Sequence, residues 1–163
     1  MSRIMFSIEV WGPSATEQQI QQIQTCQNQI LRFICRVGRE ARLNDMLRMT
    51  GMMSIRQLIA YRVLISGLNF LYTQKPECLV KSLVPKKSSY RTRVSEQITS
   101  TRRANHQLSR RSFREMFIRL TDNVPQRFLE GDPKCHIGDI KHWIKDNIPV
   151  NEKWDGSYNE EEN

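Results

Sequence analysis

The segment that most limits how this chain can fold is Ser54–Tyr72, SIRQLIAYRVLISGLNFLY. Ser54 followed by Gln57 three residues on predicts a capping box, in which hydroxyl and amide satisfy the backbone donors left open at a helix start. Ile55, Leu58, Ile59, Tyr61, Val63, Leu64, Ile65, Leu68, Phe70, Leu71 and Tyr72 follow. At about 100° per residue they cover nearly the whole circumference, so other helices must wrap this one. Arg56, Gln57, Arg62, Ser66 and Asn69 interrupt the apolar cover, and Gly67 leaves room for a close neighbour. The length brushes the lower limit for a membrane span, but two internal arginines argue against one.

A chain of 163 residues is long enough to bury a core around such a helix as one domain. Ile4–Trp11 alternates apolar and polar residues, the period of a strand, yet nothing after it offers a ladder partner. A short helix or an extended arm is equally open. Ser14 and Glu17 predict a second capping box and a helix to about Val37, stopped by a left-handed Gly38. Ile20, Ile23, Ile30, Ile34 and Val37 share one face, widened by Leu31 and Phe33, while Gln18, Gln19, Gln21, Gln22, Gln24, Gln27 and Gln29 coat the other. Arg39–Met49 carries a shorter helix through Leu43, Met46 and Leu47, closed by Gly51. Pro76 suits the first turn of a small helix through Leu79, Val80 and Leu83.

From Pro85 to about Ser109 apolar residues thin out, as expected of a loop or mobile arm. Phe113, Met116, Phe117 and Leu120 restore a helical face, which Asn123-Val124-Pro125 breaks, and Phe128 and Leu129 dock back as a short turn. A last amphipathic helix runs over about Ile137–Asn147 through Ile140, Trp143 and Ile144, with Gly138 weakening it by about 1 kcal/mol. The acidic end, NEKWDGSYNEEEN, is expected to fray. The predicted fold is all-α: an irregular helical bundle around a central buried helix at about 54–72, with a basic flexible arm. Its divisions are a helical core (1–84), a basic linker or arm (85–111), a helical segment packing on the core (112–149) and an acidic tail (150–163).

The net charge of +8 is segregated. Between Lys81 and Leu120 stand eleven Lys/Arg against Glu96 and Glu115, a local balance of +9, so the rest of the chain sums to −1. Such segregation predicts a polyanionic partner for one segment. Within it Lys86, Lys87, Arg91, Arg93, Arg102, Arg103, Arg110 and Arg111 come with Tyr90, a mix suited to phosphate contacts with occasional base stacking. These nine residues are the candidate nucleic-acid-binding set, for RNA or DNA. The plainer alternative is a solvated linker whose arginines serve solubility.

Other candidate chemistry is weaker. Cys26, Cys35, Cys78 and Cys135 form no CxxC, which reads as reduced intracellular thiols, nuclear or cytoplasmic, rather than a disulfide framework. No secretory signal is visible, since Glu9 cuts the short apolar start. Cys135, His136 and His142 lack the fourth ligand and the paired spacing of a structural zinc site, so no metal or cofactor is expected. Trp11 and Trp143 could stack on bases, but tryptophans at helix boundaries more often fill a core.

Read in order, several pieces resemble one family. Trp11, Gly12, Ile20, Ile23, Gln24, Gln27, Asn28, Leu31 and Arg32 are similar to the stretch just beyond the polymerase palm of non-LTR retrotransposon reverse transcriptases, with Phe6 and Ser7 replacing the family's tyrosine and glycine. Met53-Ser54-Ile55-Arg56-Gln57-Leu58-Ile59-Ala60-Tyr61 is similar to a following family motif. Pro76 to Leu79, Tyr90-Arg91-Thr92-Arg93, and Ser112, Phe113, Asn123, Val124 and Pro125 resemble the next ones in family order. Ile137–Ile144 resembles the closing motif, with Ile137 and Gly138 departing from it.

The resemblance implies thumb helices and the connecting region of a retroelement polyprotein. The palm of that polyprotein, an RNA-directed DNA polymerase, is then a further candidate partner. The family's palm holds two metal ions on paired aspartates. Here Asp45, Asp122, Asp132, Asp139, Asp146 and Asp155 are scattered, so the chain is not expected to be an enzyme by itself. The function expected is a nucleic-acid-gripping remnant of a transposable element, non-catalytic alone. The alternative is a small helical protein-interaction module using exposed apolar faces. No membrane partner is expected.

Overall fold

The structure, a computed structural model, describes residues 7–83, 112–129 and 131–150. Over these it is all-α. The elements are α1 (Ile8–Trp11), α2 (Glu17–Cys35), α3 (Leu43–Thr50), α4 (Ile55–Thr73), α5 (Glu77–Leu83), α6 (Phe113–Asn123) and α7 (Ile137–Asn147), with 3₁₀ turns at Gln126–Phe128 and Pro133–His136. Among the described residues no helix is long and apolar enough to cross a membrane.

α4 begins at a capping box. The Ser54 hydroxyl accepts from the Gln57 N–H at 3.3 Å, and Gln57 Oε1 accepts from the Ser54 N–H at 3.1 Å. α4 packs against α1, α2, α5, α6 and α7, burying Ile59, Ala60, Val63, Leu64 and Leu68. Arg56 is also buried and is held by an ion pair to Glu17 of α2, which offsets part of the cost of taking a guanidinium out of water. α6 packs tightly where α4 carries Gly67. A Cβ at that position would lie 2.2 Å from the Phe117 ring, so only glycine leaves room. Phe117 stacks on Phe113 at 6.2 Å between centroids, and Phe113 tilts against Phe70 at 6.0 Å.

Several boundaries differ from those the sequence suggests. Ile8–Trp11 is one helical turn rather than strand, with the Gly12 N–H donating to Ile8 O at 2.8 Å; residues 4–6 lie outside the described residues. Local bonding satisfies donors for which no neighbouring strand exists among the described residues. The cap of α2 is Thr16 with Gln19, not Ser14 with Glu17, because the Ser14 hydroxyl donates to Trp11 O at 2.8 Å and belongs to the preceding turn. α2 stops at Cys35, with Arg36 rather than Gly38 in the left-handed region at φ 54°. The early turn lets Val37 pack on the small cluster of Leu31, Met46 and Leu47 between α2 and α3. α3 closes at Gly51 with φ 65°, where a side chain would be strained.

The largest departure is the face that α2 buries. Gln24 and Gln27 point inward with Ile20 and Leu31, whereas Ile30, Phe33 and Ile34, expected on the core side, are exposed. A polar network holds the helix in that rotation. Gln24 Nε2 donates to Gln27 Oε1 at 2.8 Å and to Asn28 Oδ1 at 2.9 Å. Gln24 Oε1 accepts from the Ile55 N–H at 2.9 Å, and Gln27 Nε2 donates to Met53 O at 2.8 Å. The two amides thus serve backbone groups at the entry to α4, which would be costly to bury without partners.

Candidate nucleic-acid interface

The nine expected contact residues, Lys86, Lys87, Tyr90, Arg91, Arg93, Arg102, Arg103, Arg110 and Arg111, all lie outside the described residues. What the structure defines is the base on which that stretch stands. The chain leaves at the end of α5, where Leu83 is buried, and is described again from Ser112, whose hydroxyl accepts from the Glu115 N–H at 3.3 Å to open α6. α5 and α6 touch, and Arg114 clamps them. Its Nε donates to Ser82 O at 2.6 Å, and its Nη1 pairs with the largely buried Glu115 at 2.7 Å. Both ends of the basic stretch therefore start from one place on the bundle.

The clamp also sorts the charges. Lys81 pairs with Glu77 at 2.6 Å one helical turn away, and Arg114 is committed to Ser82 and Glu115. Arg119 is half-buried on α6. The other eight cations of the segregated stretch stand within 84–111, opposed there by Glu96 alone.

The remaining candidates sort on burial. Trp11 and Trp143 are half-buried and pack against the main core, the filling role. The His136 ring lies 5.9 Å from that of Phe128, and its Nδ1 is 4.0 Å from Asp139 Oδ2, while Cys135 and His142 are exposed. Among the described residues no group of three or more His, Cys, Asp or Glu comes together. Asp45 is on α3, Asp122 on α6, and Asp139 and Asp146 are on α7, while Asp132 Oδ1 accepts from the Lys134 N–H at 2.9 Å. Partial desolvation raises the pKa of the surface Asp122 carboxyl above its ordinary value.

Two features escaped the sequence reading. Gln57 is more than a capping residue: its Nε2 also donates to Ile148 O at 2.8 Å and Lys145 O at 3.3 Å, tying α4 to the end of α7. Lys145 Nζ donates in turn to Gly51 O at 2.7 Å. A groove of about 440 Å³ opens beside α2, bounded by Ile23, Ile30, Met53, Ile55, Leu58 and Lys141. The sequence places Ile20, Ile23, Ile30, Ile34, Leu31 and Phe33 on one broad face, and only the buried Gln24 and Gln27 show which edge of it faces in. No family profile matches this chain, and searches of curated proteins and of solved structures found no significant match.

Proposed function

We propose that the chain is the thumb and connecting region of a non-LTR retrotransposon reverse transcriptase, which grips RNA or DNA through its basic stretch and does not polymerise by itself. The observation that carries the grip is the α5–α6 clamp. It holds both ends of a one-sidedly basic segment on a packed bundle, so ordering that segment on a polyanion costs less than ordering a free tail. The family assignment draws support from a second contact. The Gln24–Asn28 and Met53–Gln57 stretches, which resemble two separate family motifs, are hydrogen-bonded to each other.

The test is a salt titration by fluorescence anisotropy. With Arg91, Arg93, Arg102, Arg103, Arg110 and Arg111 as the contacts, counterion release sets a limiting log–log slope of about −4 on single strands and about −5 on duplex. Alanine at Arg102, Arg103, Arg110 and Arg111 flattens the slope, and Tyr90→Ala weakens single-strand binding by about 1–3 kcal/mol with the slope unchanged. Little sequence preference is expected, because phosphate contacts carry none. Absence of binding at low salt reduces the stretch to a solvated linker. Nucleotide incorporation that copurifies with the protein refutes the non-catalytic assignment.

A second reading, a helical interaction module, is favoured by the exposed Ile30, Phe33 and Ile34 on α2.

A further inference from the structure

Where α3 and the end of α7 meet the first turn of α4, a polar crevice of about 440 Å³ opens, large enough to admit a sugar-phosphate unit. Its wall carries Arg42 and Arg48 from α3 and its start, Lys145 from α7, and the carboxylates of Asp45 and Asp146. Two ties set its shape. Gln57 Nε2 donates to Lys145 O at 3.3 Å and to Ile148 O at 2.8 Å, which holds the end of α7 on α4. Lys145 Nζ donates to Gly51 O at 2.7 Å, just past the end of α3.

These bonds leave the cations available. Lys145 uses one of its three donors on Gly51 O. Arg42 and Arg48 are exposed, and among the described residues no ion pair joins any of the three cations to a carboxylate. Asp45 and Asp146 stand in the same wall without bridging to them, so the crevice as a whole carries a single positive charge. That charge matches one phosphodiester. A phosphomonoester carries about two charges at neutral pH, and the aspartates oppose the second. The same carboxylates can accept from a sugar hydroxyl or a base amine.

We propose that the α3–α7 crevice binds one backbone phosphodiester of a nucleic-acid strand, with Arg42, Arg48 and Lys145 donating to its unesterified oxygens. The inference rests on the nucleic-acid reading and adds a contact on the folded bundle, separate from the basic stretch. Gln57 beside the crevice and Phe70, which meets Phe113 at the start of α6, are about 20 Å apart along the α4 axis.

The probe is thymidylyl-thymidine, a dinucleotide with one phosphodiester, titrated into the full chain and followed by amide proton–nitrogen correlation NMR. It should shift amides of α3 and of residues 145–150 with a Kd on the order of millimolar, and inorganic phosphate should bind more weakly. The Arg42→Ala, Arg48→Ala double variant keeps its circular dichroism, since both side chains are exposed. It should weaken dinucleotide binding at least about tenfold. Asp45→Asn should tighten it at least about twofold at low salt. On a long single strand the double variant should flatten the log–log salt slope by about 0.7, one phosphate fewer. No shift in α3 and α7, shifts that survive the double variant, or inorganic phosphate bound as tightly as the dinucleotide overturns the proposal. The strand titration separates its failure from that of the reading beneath it. Full binding with an unchanged slope in the double variant overturns the crevice and leaves the grip of the basic stretch; no strand binding by the wild type at low salt overturns both.

Discussion

Gly67→Ala adds one methyl group where α4 and α6 touch. The new Cβ lies 2.2 Å from Cδ2 and Cε2 of Phe117, more than 1 Å inside an ordinary carbon contact of about 3.5–4.0 Å. The ring cannot swing clear, because it is 1% exposed and stacked on Phe113. Helix propensity acts in the opposite direction, favouring alanine over glycine by about 1 kcal/mol inside a helix. Overpacking a core costs about 1–3 kcal/mol, occasionally more, and a forced shift of this size belongs at the upper end. The expected net loss is about 1–2 kcal/mol, or a Tm lower by about 2–8 °C. Thermal unfolding followed by far-ultraviolet circular dichroism measures it. Phe117→Leu frees space, so the double variant should lose at least about 1 kcal/mol less than the two single losses added together. A Gly67→Ala protein that melts higher, as propensity alone would have it, with additive single effects, would refute the close α4–α6 contact.

Gln57→Ala removes the acceptor for the buried Ser54 N–H and the donor to Ile148 O, and should cost about 2–3 kcal/mol, read as a lower urea midpoint at unchanged slope. Arg114→Ala breaks the clamp to Ser82 O, a loss of about 1.5 kcal/mol that should speed amide exchange in α5 while leaving α2 and α4 unchanged. Equal exchange in α5 would show that Arg114 does not hold the base of the basic stretch. Asp122 stands at the surface but is partly desolvated, which raises its pKa, so its contribution to stability is present below the unfolded aspartate value, about 3.9, and is lost as pH rises through the folded one. Asp122→Asn should flatten that part of the stability profile in chemical denaturation, with an effect under about 0.5 kcal/mol at neutral pH because the residue is exposed.

The elements that local chemistry controls were legible in the sequence. Ser54 and Gln57 start α4 through bonds made within four residues, and Gly51 ends α3 because its φ of 65° suits glycine. Ile137–Asn147 was readable from its own period, and so was the face of Phe113, Met116, Phe117 and Leu120. The candidate interface was legible only as charge segregation, a property of composition. The base that gathers its two ends depends on Arg114 meeting Ser82, a pair 32 residues apart that no local pattern predicts.

The sequence by itself determined roughly where α2 to α7 lie and that the Ser54–Tyr72 helix needs others around it, but not that Ile8–Trp11 is helical. Only the tertiary structure decided which way α2 turns. Its apolar arc is broad enough for either of two rotations, and hydrophobicity alone prefers the one that buries Ile30, Phe33 and Ile34. The observed rotation instead brings Gln24 and Gln27 inward, because the Ile55 N–H and the Met53 carbonyl at the mouth of α4 need partners there. An unmet backbone group in a core costs about 1–3 kcal/mol, comparable to what burying one further aliphatic side chain gains. The amides satisfy the backbone, and Phe33 is left standing in solvent.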